Sequence, residues 1–275
     1  MLVNGQAQNF LPIGDRAVQY GDGLFETIKV KGRTPLFWNR HLARLKTSCE
    51  KLQIPCDFTL LEAEVNQVLN SLENHDQGSH ILKLIVTRGS GGRGYNPPSC
   101  VSPTRIVQLH GFPDGYARNA VDGIQAQLCR HPVSRNSALA GMKHLNRLDQ
   151  VMASMELNES AAEGLMCDDT KHLIEGIKTN VFLILEGKIT TPALTEAGIA
   201  GILRDVVLEY FSHQGRPVDV RPIHLDELSR ASELFVCNSV LGIWPVRALS
   251  NAGADMNFPI GPLTREVQDM LSDYF

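Results

Sequence analysis

The sequence lacks an excess of positive charge. Its 26 Lys and Arg are outnumbered by 30 Asp and Glu, for a net charge of -4 and a pI near 6.1. A protein that tracks phosphate backbones needs the opposite balance, so nucleic acid is excluded as a partner class. No stretch approaches the roughly 20 apolar residues of a membrane span, and MLVNGQAQNF has neither a basic n-region nor an apolar h-region. No membrane partner is expected, and the expected location is the cytoplasm. The six cysteines (Cys49, Cys56, Cys100, Cys129, Cys167 and Cys237) show no C-x-x-C spacing in a chain too long to need staples. They read as reduced thiols, and no metal site is expected.

What is present is an ordinary globular composition, 43% hydrophobic and 20% charged, in a chain of 275 residues that can build two cores. Residues 2–10 and 25–37 read as strands, with β-branched alternation in FETIKV. Leu42, Leu45, Cys49 and Leu52 recur at three- and four-residue steps and predict a helix over 39–53, and a second follows over 58–72. ILKLIVT and TRIVQLH read as strands. GFPDGYARNA, residues 111–120, is rich in Gly, Pro and polar residues and is expected to link a small α+β domain (1–110) to a larger domain (121–275). The larger domain is expected to hold strand-like GIQAQLC and ELFVC, a helix over 146–158, the hairpin-like NVFLILEGKITT, a helix over 200–213 and a closing helix after Pro262.

One motif invites a misreading. GSGGRG, Gly89 to Gly94, follows an apolar strand and satisfies the dinucleotide pattern G-x-G-x-x-G. That fingerprint works only where the glycines lead into a helix whose N-terminal amides hold the pyrophosphate. In this chain Tyr95-Asn96-Pro97-Pro98 follows, and consecutive prolines push their predecessors out of the α region. A chance match in a flexible loop carrying Arg88, Arg93 and Tyr95 is the better reading, and a plain hairpin connection is its alternative.

Three other stretches carry chemistry. In SALAGMKHLNRLDQ, Lys143 follows small Ala140-Gly141, and a desolvated lysine there suits imine formation or proton abstraction. In HLIEGIKTNVFLI, Glu175 sits in an apolar setting where a carboxylate needs a cationic partner. AGIAGILRD places glycines before a helix start, where free amides and the dipole favour a phosphate. An anchored lysine, a buried acid and a phosphate seat are together what pyridoxal phosphate requires.

Seven stretches in register carry a resemblance over essentially the whole length: DRAVQYGDGLFETIKV, NRHLARL, TRGSGGRGY, AGMKHLNRLDQ, IEGIKTNVF, AGIAGILRD and VCNSVLGIWPV. The chain resembles the fold type IV pyridoxal phosphate enzymes, a group that includes branched-chain and D-amino acid aminotransferases and aminodeoxychorismate lyases. TRGSGGRGY and AGMKHLNRLDQ look most like the lyases, with the aminotransferases as the alternative and a non-catalytic member behind both. The resemblance implies a two-domain α+β / α/β fold, with a β-barrel-like sheet flanked by helices in the larger domain, and a homodimer. It implies Lys143 as the Schiff-base lysine and Glu175 as partner of the pyridinium nitrogen. Arg44, the amides of Ile202 and Leu203 and the Ser239 hydroxyl would hold the phosphate, with Asn180 supporting the cofactor. Thr27, Arg93 and Tyr95 would face the substrate, 4-amino-4-deoxychorismate, and Arg93 would meet its carboxylates. Lys178 is a second lysine near Glu175; strand alternation would put it on the opposite face.

Overall fold

A computed structural model describes residues 1–73, 78–251 and 255–275. Chain contacts divide it into one unit of Met1–Phe112 with Met142–Asn146, and a second of Pro113–Gly141 with Arg147–Phe275.

In the first unit the chain runs β1 (Leu2–Val3), β2 (Gln6–Ala7), α1 (Arg16–Tyr20), β3 (Gly23–Lys31), β4 (Thr34–Pro35), α2 (Trp38–Leu52), α3 (Phe58–Asn70), β5 (Ser79–Thr87) and β6 (Thr104–Gly111). Among the described residues these strands form one antiparallel sheet in the order β2-β1-β6-β5-β3-β4. The residues expected as one strand over 2–10 instead make a short hairpin, because Asn4 and Gly5 take positive φ. The alternation in β3 gives the sheet two faces. Leu24, Ile28 and Val30 pack with Leu82, Leu84 and Val86 of β5 and with Leu45, Leu61 and Val65 of α2 and α3. Phe25, Thr27 and Lys29 therefore point to the other face.

The second unit holds α4 (Tyr116–Asp122), β7 (Ile124–Leu128), α5 (Leu148–Ser154), β8 (Glu163–Cys167), β9 (His172–Gly176), β10 (Asn180–Leu185), β11 (Lys188–Pro192), α6 (Ile202–His213), β12 (Asp219–Arg221), β13 (Ile223–His224), β14 (Glu233–Asn238), β15 (Gly242–Ser250), β16 (Met256–Asn257) and α7 (Pro262–Met270). The strands run β12-β11-β10-β14-β15-β7-β8-β9-β13, with β16 beside β15. β9 and β10 lie far apart in that order, yet only Ile177–Thr179 joins them, closed by the Gly176 amide donating to Thr179 O at 2.7 Å. So short a connection forces the sheet to curl back on itself, which is the barrel-like form the resemblance implied. Trp244, Val246, Leu183, Val236 and Leu165 fill the curl.

Within 111–120 the chain passes from the first unit to the second after Phe112; Tyr116–Asp122 is helical, and the Tyr116 ring meets Trp244 edge-on with centroids 5.0 Å apart. The helix expected over 146–158 is only Leu148–Ser154, and its apolar residues Leu148, Val151 and Met152, with Met155 just after them, face outward while Gln150 and Ala153 are buried. Periodicity located that stripe but could not tell a core face from a surface one.

Candidate active site

The first unit places Glu26 on the core face of β3, 1% exposed among leucines and isoleucines. Helix α2 answers it with residues one turn apart: Arg44 Nε and Nη2 donate to the two carboxylate oxygens at 2.8 and 2.5 Å, and His41 Nδ1 lies 2.7 Å from Oε2. An ionised carboxylate only accepts, so His41 donates from Nδ1. Burial alone would raise the Glu26 pKa, but the Arg44 charge and the His41 and Arg44 hydrogen bonds bring it down to about 2. Burial also outweighs Glu26 at His41 and holds its pKa below the ordinary imidazole value. Arg44 is thus a cation whose guanidinium plane is set by a carboxylate.

Lys143 lies in an extended segment rather than at a helix start. Phe25 N donates to Lys143 O and Leu145 N to Gly23 O, both at 3.0 Å, so residues 143–145 run along β3 as an edge. The Lys143 Nζ is 4.3 Å from the Phe25 ring centroid, on the sheet face that also carries Thr27. Arg93 and Tyr95 sit on the loop after β5, exposed, where Arg93 and Asn96 exchange backbone hydrogen bonds at 3.2 Å. No helix follows GSGGRG: residues 97–100 are non-helical and β6 comes next.

In the second unit Glu175 is 3% exposed in β9. Its Oε2 accepts the Ile199 amide at 2.8 Å and its Oε1 the Gln150 side-chain amide at 3.2 Å. The same Ile199 accepts from Asn180 Nδ2 through its carbonyl at 2.9 Å. One residue thereby ties the acid to the asparagine. Gly201, the N-cap of α6, comes so near Asn180 that a Cβ would stand 1.9 Å from Asn180 Oδ1, which only glycine permits. No side chain caps α6, so the amides of Ile202 and Leu203 open the helix with the dipole unopposed by a capping side chain. Gly141 is bonded on both sides of Ile199, its amide to Gly198 O at 2.9 Å and its carbonyl from the Ala200 amide at 3.1 Å. Ser239 lies in the turn between β14 and β15.

Lys178 is in the bend between β9 and β10, so strand alternation does not govern it. Its Nζ donates to Ala162 O at 3.2 Å and stands 5.7 Å from the Trp244 ring centroid.

Residues 23–249 match the family described as amino-transferase class IV. The chain belongs to the class IV aminotransferase family. Within that family it is 37% identical over 273 residues, 98% of each chain, to an aminodeoxychorismate lyase of Vibrio harveyi. It is 29% identical over 270 residues, 95% of this chain and 90% of the other, to a D-alanine aminotransferase of Bacillus licheniformis. Among solved structures it superposes on a 4-amino-4-deoxychorismate lyase from Pseudomonas aeruginosa with a TM-score of 0.91 and 42% identity, covering 99% of this chain and 98% of that one. The two-sheet fold read from the motifs is the class IV fold, and pyridoxal phosphate is the cofactor of this class IV enzyme.

The residues present fit that cofactor. Glu175 is a buried acid held by the Ile199 amide, the Gln150 carboxamide and the charge of Arg147, an anion suited to face a ring N–H. The uncapped start of α6 suits a phosphate. Sequence reasoning missed Glu26 and His41, although the period of two in FETIKV puts Glu26 on the face of Leu24 and Ile28. It also missed Gln150 and Ile199, for which the sequence carries no signal, because a hydrogen bond from a loop amide depends on tertiary placement alone.

Proposed function

We propose that this enzyme converts 4-amino-4-deoxychorismate to 4-aminobenzoate and pyruvate, a lyase step of folate synthesis. The observation that carries the reading is the full-length similarity to lyases at 37% and 42% identity, against 29% to the D-alanine aminotransferase.

Bound pyridoxal phosphate supplies an electron sink for the carbon that loses its proton. Lys143 would hold the cofactor and, with its amine free, would take the proton from substrate C4 as general base. Glu175 would face the ring nitrogen and keep it protonated. Arg44, its plane set by Glu26, would hold the phosphate together with the amides of Ile202 and Leu203 and the Ser239 hydroxyl. Asn180 supports this arrangement by fixing Ile199. Thr27, on the Phe25 face of β3, or a water protonates the departing enolpyruvyl group. Arg93 binds substrate carboxylates, with Tyr95 beside it. Loss of the side chain aromatises the ring, so the step needs little beyond positioning.

The enzyme acts in the cytoplasm, in keeping with six free cysteines, and as a homodimer. The outward stripe of Leu148, Val151 and Met152 on α5, with Met155 just beyond it, supports the dimer, since four exposed apolar residues so close together call for cover.

The test is a paired assay on purified enzyme. Release of pyruvate and 4-aminobenzoate from 4-amino-4-deoxychorismate is expected. Conversion of D-alanine or branched-chain amino acids with 2-oxoglutarate, without pyruvate from the chorismate derivative, would establish the aminotransferase alternative instead.

A further inference from the structure

The loop that displays Arg93 is built from residues that hold shape poorly. Gly89, Gly91, Gly92 and Gly94 all take positive φ, a run that leaves an unsupported loop with a large conformational entropy to lose. What supports it is a side chain from elsewhere in the sequence. Arg16 opens helix α1, is 4% exposed, and aims its guanidinium at the loop's carbonyls. Nη1 donates to Gly94 O at 3.0 Å and to Gly91 O at 3.4 Å, and Nη2 donates to Tyr95 O at 3.1 Å. Those three carbonyls bracket Arg93.

The guanidinium is itself fixed. Its Nε donates to Asp22 Oδ2 at 2.8 Å, and its carbon lies 4.8 Å from the Tyr20 ring centroid, which in turn is 5.5 Å from that of Tyr95. Asp22 Oδ2 also accepts from Arg88 Nε at 2.8 Å, and the Arg88 guanidinium continues to Leu52 O and Gln53 O at the end of α2. The chain on either side is zipped to the loop's base: Arg16 N donates to Gly89 O at 2.9 Å, and Arg88 N to Asp22 O at 3.1 Å. Just before it, buried Asp15 accepts from the hydroxyls of Thr87 and Thr104 at 3.0 and 2.8 Å.

We propose that Arg16 is a positioning residue for substrate binding: it fixes the backbone of the glycine loop so that Arg93 is displayed in one place. Only a planar fork with several donors in fixed directions can hold three carbonyls and a carboxylate at once; the single ammonium of a lysine can keep the Asp22 charge partnered but not the fork. The inference rests on the reading that Arg93 binds substrate carboxylates. Arg16 acts through the loop and touches no substrate, so its loss weakens substrate capture and leaves the cofactor alone.

The experiment uses holoenzyme carrying Arg16→Lys, Arg16→Gln, Arg93→Ala and the double variant Arg16→Lys/Arg93→Ala, with 4-amino-4-deoxychorismate as substrate. Arg16→Lys is expected to raise KM about tenfold, the scale of one or two lost charge-assisted hydrogen bonds, with kcat changed less than about threefold and an unaltered cofactor absorbance band. In the double variant KM should equal that of Arg93→Ala alone, because the fork acts through Arg93. Arg16→Gln should repeat the Arg16→Lys pattern. If Arg93→Ala raises KM while Arg16→Lys leaves it unchanged, or the two effects multiply, Arg16 does not position Arg93 and the inference falls. If Arg93→Ala itself leaves KM unchanged, the substrate role of the loop falls first and the inference with it. A loss of kcat and of the cofactor band in Arg16→Lys would mark a general structural role and would equally overturn the proposal.

Discussion

Two buried carboxylates, Glu26 in the first unit and Glu175 in the second, are nearly equally hidden from water, at 1% and 3% exposure, yet are held from different parts of the chain. Glu26 is met by the fork of Arg44 and by His41, so both its oxygens take donors from side chains on α2. Glu175 takes a backbone amide and a carboxamide, and the buried Arg147 guanidinium feels its charge. The first arrangement uses a carboxylate to aim a cation. The second ties a buried carboxylate to the loop before α6 through the Ile199 amide. Burial and residue type are the same in both; what differs is where the donors come from, one helix for Glu26, and a loop amide together with a helix carboxamide for Glu175.

The comparison can be broken at several points. Removing Lys143, proposed to hold the cofactor, should have the largest effect: Lys143→Ala is expected to lower kcat at least about a thousandfold, the upper range for loss of a general base, and to abolish the absorbance of lysine-bound cofactor. Glu175→Gln keeps the shape and the Ile199 contact but not the charge. It should cost about a hundredfold in kcat, read at saturating cofactor, because a neutral amide would not keep the ring nitrogen protonated.

Glu26→Gln should show the reverse pattern. It strands Arg44 beside a neutral amide, so stability should fall by about 3 kcal/mol, read from denaturant midpoints. Its effect on kcat should follow only from loosened phosphate binding and be relieved by excess cofactor. Acid should act on the same pair. The Glu26 pKa is lowered from 4.5 unfolded to about 2 folded, so its contribution is fully present above pH 4.5 and is lost as the pH falls from there toward about 2. That shift corresponds to about 3 kcal/mol, and Glu26→Gln should flatten this part of the stability profile. The smallest effect is expected at Lys178, exposed in its bend: Lys178→Ala should leave kcat and KM within about twofold, as for surface positions generally.

Local patterns carried much of this into the sequence. Strand β3, helix α2 and the hairpin of β10 and β11 follow from apolar spacing and one turn signal, and Pro97-Pro98 was enough to reject a helix after the glycines. Lys143 and Glu175 stand out in the sequence because each is an ionisable residue in a small or apolar setting. Placement of residues 142–146 with the first unit was not legible, because it depends on edge pairing with β3, more than a hundred residues away. The outward face of α5 is not legible for a related reason: its spacing is also that of a core helix, and only tertiary structure shows that Leu148 and Met155 are exposed. Arg16 was passed over because nothing local distinguishes a buried arginine at a helix start from a solvated one.

Which lysine carries the cofactor decides most of the rest. Purified enzyme loaded with pyridoxal phosphate, reduced with borohydride and digested, should yield the pyridoxyl group on the peptide containing Lys143. Finding it on the peptide containing Lys178 would contradict the assignment of Lys143 and, with it, the roles of Phe25, Thr27 and the β3 edge.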